Sequence, residues 1–338
     1  MSGRQSAVLA LALVLHACDT ALCSLDNKNQ SDVINDAAVI RCDLLSLLAI
    51  LHHAITKVSL ALKPSSPSYG ASVTPLNDIA TRIASIAHCA GLFTPVHGLV
   101  LTDEAVSLVK QVIQSIRSLI QTLLDANNGT TKAEHVGDDY LIITAAVHDL
   151  IDKARSPDGL SLDNVSAVRK LWLRDQASLE DGYVELVQMI ENASDKEEQV
   201  DDGRDELGLG TNHLSLAEAD RAKKAQPLGR LSILLHKRVN RDLLSHPYPS
   251  DLNPCLDLLA KHSSSLLVSS DDLIASLDSP QSMEDIAIKL TCFRKSIQDL
   301  QPTVVTLLQD KKKQWFNACF GQIFRSADAM SNAIDSNS

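Results

Sequence analysis

Histidine and cysteine are the residues of this sequence that could bind a metal or activate a nucleophile, and the chain has eleven and seven of them. His52 and His53 are adjacent, and adjacent side chains on a helix point about 100° apart instead of converging on one ion. His88 and Cys89 are adjacent in the same way. The sequence contains no HExxH motif and no pair of nearby cysteines beside a pair of spaced histidines, the patterns typical of zinc sites. We therefore predict no metal site and no cofactor.

Motifs that bind phosphate or present a catalytic nucleophile are also missing from the sequence. The run Leu207-Gly208-Leu209-Gly210 lacks the third glycine, the following lysine and the preceding strand of a nucleotide-binding loop. No G-x-S-x-G sequence, the nucleophile elbow of serine hydrolases, occurs. Paired carboxylates such as Asp271-Asp272 stand at helix starts or on polar faces, where capping and solvation explain them. We predict that the protein is not an enzyme.

The elements available to position functional groups are helices around an aliphatic core. Hydrophobic residues make up 45% of the 338 residues and aromatic residues only 3%, so leucine, isoleucine, valine and alanine must fill the interior. Apolar residues recur three and four positions apart in nearly every long segment, as between Ala37 and Val58, which is typical of a helix with one buried face. No segment alternates with a period of two. The predicted fold is all-α.

Local signals predict where individual helices begin and break. Thr74 followed by Pro75 has the residue types of an N-cap and a first helical turn. Ser215 and Glu218 have the spacing of a capping box. Pro227 lacks a backbone N–H, so it predicts either a kink in the helix that follows Ser215 or a division of that helix into two.

The predicted organisation is two bundles of long antiparallel amphipathic helices. The turn 156–159, with the sequence SPDG, separates an N-terminal bundle at 1–155 from a C-terminal bundle at 156–338. Residues 194–213 are acidic, contain several glycines and have no helical stripe. We interpret them as an exposed loop within the second bundle.

The N-terminal apolar run at residues 7–17 has two interpretations. Behind the single Arg4 it has the outline of a weak secretory signal, and removal of residues 1–23 would make a secreted protein. The run is shorter than the roughly 20 residues that cross a bilayer and is followed at once by Asp19, so we expect a first buried helix and no membrane partner. Secretion would make four N-x-S/T triplets glycosylation candidates, at Asn29, Asn128, Asn164 and Asn192.

The charge balance argues against a phosphate-binding surface. With 31 basic and 42 acidic residues the net charge is −11, so we expect no direct contact with nucleic acid. The short basic runs at 223–224 and 311–313 are interpreted as solvated faces. The odd number of cysteines, with no CxxC pair, favours a reducing compartment.

Six blocks of the sequence have a recognisable pattern, at residues 44–64, 75–93, 146–155, 160–186, 201–210 and 231–244. These blocks resemble the cyclin-D-interacting, or GCIP, family of cyclin-D-binding proteins. The resemblance spans roughly residues 32–335 and is carried by helical packing patterns and an acidic DELGLG block. The chain departs from the family in its apolar first 25 residues.

The resemblance implies an all-helical, two-bundle, non-enzymatic protein of the cytoplasm and nucleus. Proteins of this family resemble helix-loop-helix proteins without a basic region, bind D-type cyclins and transcription-related partners, and restrain cell-cycle progression. We therefore expect an adaptor that binds a cyclin-like or helix-loop-helix-type regulator. Its expected contact is the acidic segment, through Asp201, Asp202, Asp205, Glu206 and Leu207.

Two other functions remain open from the sequence. A structural scaffold, like the helical bundles of cytoskeletal adhesion proteins, would need the same aliphatic stripes and the same absence of catalytic motifs. A secreted helical protein would follow if residues 1–23 were cleaved as a signal.

Overall fold

The structure is a computed structural model that describes residues 3–27, 36–128, 136–194 and 214–335. These residues form ten α-helices, with short 3₁₀ helices at Pro95–His97 and Ser250–Leu252, and they include no strand, so the all-α prediction is confirmed. The α-helices are α1 Gly3–Asp26, α2 Ala37–Ala61, α3 Tyr69–Gly91, α4 Leu99–Asn128, α5 Val136–Arg155, α6 Asn164–Ser194, α7 Leu216–Asp242, α8 Asn253–Ala275, α9 Met283–Leu307 and α10 Asp310–Asp335.

Contacts within the chain divide it into unit 1, Met1–Ala167, and unit 2, Val168–Ser338. This division falls inside α6, about a dozen residues after the turn that predicts a boundary at 155/156. The boundary between independently folding domains at that turn stays a prediction.

The helices of unit 1 contact one another in a ring. The neighbouring pairs are α1 with α3, α3 with α2, α2 with α5, α5 with α4, and α4 with α1, while α3 also contacts α4 across the ring. A ring with an odd number of helices cannot alternate in direction throughout, so at least one neighbouring pair must be parallel. Helices α1 and α3 are such a pair, because their first turns lie together: a Cβ added to Gly3 would be 3.7 Å from the backbone nitrogen of Gly70.

Two ion pairs show that α1 and α4 run antiparallel. Arg117 Nε lies 2.8 Å from Asp19 Oδ1, and Lys110 Nζ lies 2.6 Å from Asp26 Oδ1. The buried face of α1 packs into an aliphatic core that includes fully buried Leu11 and extends through all five helices. In this structure the first helix is therefore part of the bundle.

The length of α1 corrects the expectation that the first apolar run is too short to cross a membrane. Among the described residues, α1 with 24 residues and α2 with 25 are both long and apolar enough for a membrane span by length and composition. One third of the most apolar stretch of each is buried. Core helices that pack through one face have the same composition, and both helices pack in that way here.

Of the predicted helix starts, the one at Thr74 was wrong and the one at Ser215 was right, and of the two outcomes predicted at Pro227 the division is excluded. Helix α3 begins at Tyr69, so Pro75 lies inside it, where it is buried. Packing of the first turn of α3 against α1 outweighs the local preference for a start at Thr74. Helix α7 continues through Pro227 without division. Its capping box is confirmed: Ser215 N donates to Glu218 Oε2 at 2.8 Å, and Glu218 N donates to Ser215 Oγ at 3.4 Å.

Unit 2 contains a buried polar cluster among aliphatic and aromatic side chains. The rings of Trp172 in α6 and His236 in α7 stack with centroids 4.5 Å apart, and Trp172 Nε1 donates to the His236 carbonyl oxygen at 3.0 Å. His236 Nε2 lies 3.3 Å from Ser263 Oγ in α8. The cluster therefore ties three helices together by directional contacts. Phe316 and Phe320 of α10 are fully buried, so this aromatic helix closes the core.

Candidate partner-binding site

The acidic contact predicted from sequence lies outside the described residues. Asp201, Asp202, Asp205, Glu206 and Leu207 fall between Ser194, where α6 ends, and Leu214. Their role in partner binding stays a prediction. Among the described residues, the surface best suited to a partner lies in unit 1.

A groove lies between α1 and α3 and is closed on one side by the start of α4. We call it the α1–α3 groove, and its volume is about 810 Å³. This volume falls within the range of roughly 300–1,000 Å³ in which ligand sites occur. Its lining residues are His16, Ala17, Thr20, Ala21, Ser24, Leu25, Asn27, Ala84, Ala87, His88, Gly91, Leu92, Phe93, Thr94, Pro95, Thr102 and Val106.

Small residues leave the groove open. Of the ten residues that α1 and α3 contribute to its walls, five are alanine or glycine, including Ala17 and Ala21 of α1 and Ala84 and Ala87 of α3. Such side chains do not fill the space between two helices at the ordinary interaxial distance of about 8–10 Å. The parallel direction of α1 and α3 brings their C-terminal turns to the same end, and the groove lies there.

Among the described residues, no aspartate, glutamate, lysine or arginine lines the groove. His16 and His88 are exposed side chains within its lining. The two carboxylates on the C-terminal half of α1, Asp19 and Asp26, pair instead with arginine and lysine of α4. A partner would therefore be recognised here through shape and apolar contact.

Two of the four hydroxyl groups that line the groove, those of Ser24 and Thr102, donate to the backbone, whereas Thr94 Oγ1 lies 3.3 Å from His97 Nδ1. Ser24 Oγ donates to the Ala21 carbonyl at 2.7 Å, and Thr102 Oγ1 lies 2.7 Å from the Gly98 carbonyl. Each bond satisfies the hydroxyl hydrogen within its own helix end. The hydroxyls of Ser24 and Thr102 shape the walls of the groove, and neither is hydrogen-bonded to a base that could activate it as a nucleophile.

An exposed apolar stripe extends the groove along α1. Leu9 and Leu13 are 63% and 48% exposed. With His16 and Thr20 they occupy positions i, i+4, i+7 and i+11, which lie on one face of a helix. The stripe spans eleven residues, or about 16 Å at 1.5 Å per residue. An amphipathic helix of a partner could lie along this stripe and insert side chains into the groove.

The histidines that first suggested metal chemistry are placed differently by the structure. His52 of α2 stacks on His148 of α5 with ring centroids 3.9 Å apart, and His52 Nε2 lies 3.7 Å from Asp152 Oδ2. Burial and then the neighbouring His52 lower the pKa of His148, which favours its neutral form. No group of three potential metal ligands is found within the described parts of the chain.

Sequence reasoning missed the α1–α3 groove because its walls come from helices that are not consecutive. The signal that could have drawn attention to it is the pair Leu9 and Leu13, which would face water if Leu11 faces the core. Of the proposed glycosylation positions, Asn164 is 3% exposed and therefore inaccessible in the folded chain.

Comparison with known proteins supports the resemblance found in the sequence. Residues 43–192 match the family model described as Grap2 and cyclin-D-interacting, N-terminal. The resemblance is confirmed over this range, which runs from α2 into α6 and includes the α3 and α4 walls of the groove. Helix α1 precedes the matched range. No curated protein matches the chain.

Proposed function

We propose that this protein is a non-enzymatic helical adaptor that binds a cyclin-type regulatory protein and restrains cell-cycle progression or transcription. The observation that carries the proposal is the match of residues 43–192 to a family whose name describes cyclin-D-interacting proteins. The proposed sites of action are the cytoplasm and nucleus. An adaptor of this kind acts by occupying a surface of its partner, so it needs a binding face and no reacting group.

The α1–α3 groove provides such a face. Its described lining is mainly apolar, contains no carboxylate, lysine or arginine, and is continuous with the exposed Leu9 and Leu13. Together these features suit the apolar side of an amphipathic helix. Exposed apolar patches of this kind frequently mark protein interaction sites. The small residues along the groove also allow a partner backbone to approach α1 and α3 closely.

Binding of the purified chain to a purified D-type cyclin tests the proposal directly. In the groove, Ala84→Glu places a carboxylate at an exposed alanine, so we expect the fold to persist and affinity to fall at least about tenfold. Ala145→Glu is the matched control, because Ala145 is an exposed alanine on α5 outside the groove. Equal affinity of the two variants and the unaltered chain would reject the groove as the contact.

The acidic segment has its own test. Replacing Asp201, Asp202, Asp205 and Glu206 with Asn or Gln should weaken capture of the partner while leaving the melting temperature nearly unchanged. Leu207→Ala would test the apolar residue at the end of the segment. Unchanged capture by these variants would remove the acidic segment from the binding site. No cyclin binding together with co-sedimentation with filaments would replace the adaptor by the scaffold function.

A further inference from the structure

Helix α7 is basic in an acidic protein. Between Leu216 and Asp242 it carries seven lysines and arginines and three acidic residues, whereas the whole chain has 31 basic and 42 acidic residues. Charge of one sign concentrated on a single element of a chain with the opposite net charge produces a strong local potential, although distant charges are screened. The placement of these side chains in unit 2 shows where that potential is directed.

Four of the basic residues form one row on the outer face of α7. Lys223, Arg230, Lys237 and Arg241 follow one another at intervals of seven, seven and four residues, which keeps them within about 40° around the helix. The side chains of Lys223, Lys237 and Arg241 are 49%, 56% and 63% exposed, and Arg230 is also exposed. The row extends for about 27 Å. Leu234, 46% exposed, lies within it.

The row ends in a cluster with more positive than negative charge. The carboxylate of Asp242 is paired with Arg238, with Arg241 at 3.3 Å and with Lys312 of α10 at 3.8 Å. One carboxylate is thus paired with three cations. Lys312 Nζ also donates to the Asp242 carbonyl oxygen at 3.0 Å, which holds the start of α10 against the end of α7. The cluster retains a net positive charge beside Arg241.

The start of α10, next to the end of α7, adds three lysines at a position where positive charge lowers the stability of α10. Lys311, Lys312 and Lys313 occupy the first turn, where the helix dipole disfavours positive charge. Asp310 pairs with Lys313 at 2.8 Å and offsets one of the three. The lysine run therefore keeps a net positive charge and extends the basic surface at the end of α7.

The row of cations stays predominantly positive although acidic residues lie near it. Lys223 pairs with Asp220 at 3.2 Å, and Lys237 pairs with Glu180 of α6 at 3.0 Å. These pairs are exposed, so water and salt weaken them and a competing carboxylate can replace them. Arg230 has no ion-pair partner in the part of the chain that the structure describes.

We propose that the outer face of α7, from Lys223 to Arg241, docks an acidic amphipathic helix of a partner protein. The spacing of the cations is that of one helix face, so a second helix can present carboxylates at matching intervals. Leu234 in the row gives such a helix an apolar contact between its charged ones. This surface lies in unit 2 and is separate from the α1–α3 groove, so neither proposal depends on the other.

A protein partner fits this face better than nucleic acid does. A net charge of −11 repels a long polyanion, whereas a short acidic helix meets mainly the local row. The row itself contains no aromatic residue on which a base could stack. Trp315 of α10 lies nearby, but its ring is covered by Arg238, whose guanidinium carbon is 4.9 Å from the ring centroid.

The test uses a fluorescently labelled helical peptide with glutamates at the spacing of the four cations around a central leucine. Binding to the full chain is followed by anisotropy. We expect the triple variant Arg230→Gln, Lys237→Gln and Arg241→Gln to bind at least about tenfold more weakly, because each exposed ion pair contributes a factor of up to about five. Leu234→Ser should weaken binding further. All four positions are exposed, so folding should be retained, which circular dichroism checks.

The matched control removes three exposed lysines elsewhere, by Lys57→Gln, Lys63→Gln and Lys261→Gln. Equal loss in this control and in the α7 variant would overturn the proposal, since net charge alone would then explain binding. A peptide of the same composition, with its glutamates moved to positions that do not share one helix face, is a second control. If it binds as tightly as the original peptide, the proposal is overturned as well. Tighter binding of duplex DNA or of phosphatidylserine vesicles through the same three residues would assign the face to another partner. If the peptide binds only after the acidic residues at 195–206 are neutralised, the occupant of this face is the acidic segment of the same chain, and the proposal of a partner helix is overturned.

Discussion

The side-chain amide of Asn164 lies against Gly98 at the start of α4. Asn164 is 3% exposed, and its Oδ1 accepts a hydrogen bond from the backbone N–H of Leu101 at 3.1 Å. Gly98 has φ 102°, and a Cβ at this position would lie 2.0 Å from Asn164 Cγ. The first residue of α6 thus satisfies a free N–H in the first turn of α4. It can do so only because residue 98 has no side chain.

Replacing Gly98 with alanine should destabilise unit 1 by at least about 2 kcal/mol. The cost combines a positive φ, which is unfavourable for alanine, with the overlap between the new methyl group and Asn164. Urea unfolding at neutral pH measures the change. Asn164→Ala alone should cost about 1 kcal/mol through loss of the cap. The truncation Asn164→Ala also removes the overlap with a methyl group at residue 98. The decrease in the free energy of unfolding should therefore be smaller in the double variant than the sum of the decreases in the two single variants. Strict additivity would contradict the contact.

The first helix gives a second prediction, which also bears on the secreted alternative. Leu11 is fully buried in the core of unit 1, whereas Leu13 on the same helix is 48% exposed. Leu11→Ala should lower the free energy of unfolding by about 2–5 kcal/mol, as large-to-small changes in cores do. Leu13→Ala is the matched control and should cost under about 1 kcal/mol. If α1 were cleaved in the cell, intact mass would show it, and Leu11→Ala would leave the mature protein unchanged.

Acid should destabilise the protein through His236. Burial lowers the pKa of this imidazole to about 4, although the Ser232 carbonyl and Asp175 act in the opposite direction. The unfolded chain, in which the pKa is about 6.5, takes up a proton that the folded chain resists. Stability from this group is therefore complete above about pH 6.5 and decreases as the pH falls towards 4.

The loss between pH 7 and pH 5 should be about 2 kcal/mol from His236 alone. The variant His236→Gln should be less stable at pH 7, because it loses the stack on Trp172. Between pH 7 and pH 5, however, the free energy of unfolding of this variant should decrease by about 2 kcal/mol less than that of the unaltered chain. Denaturant titrations at the two pH values give the comparison. The same pH dependence in both proteins would show that His236 can be protonated in the folded state.

The capping box of α7 predicts a second loss of stability in acid, at a lower pH than that of His236. Hydrogen bonds from the backbone N–H groups of Gln281 and Ser215 lower the pKa of Glu218 to about 2. Its contribution to stability is present above about pH 4.5 and is lost as the pH falls through 2. Glu218→Gln should cost about 1 kcal/mol at neutral pH, as other capping losses do. Glu284→Gln, at the exposed start of α9, is the control and should change stability little. A constant difference between Glu218→Gln and the unaltered chain from pH 5 to pH 2 would refute this role.

Features that depend on neighbouring residues could be predicted from the sequence. The helical class follows from apolar residues three and four positions apart, because that spacing builds one buried face whatever the partner helix is. The capping box of Ser215 and Glu218 is confirmed for the same reason: both hydrogen bonds close within one turn. The family resemblance over residues 43–192 was visible in the linear pattern as well.

Features that depend on distant residues appeared only in the tertiary structure. Pro75 lies within α3 because the preceding turn packs on α1, a contact that local preferences for helix starts do not contain. The groove needs α1 and α3 to be parallel neighbours, and an odd ring of helices imposes at least one parallel pair without revealing in the sequence which pair it is. The contact of Gly98 with Asn164 joins residues 66 positions apart. The sequence by itself determined the helices and the composition of their faces; packing decided which faces became core, groove or basic surface, because burial depends on neighbours that are distant along the chain.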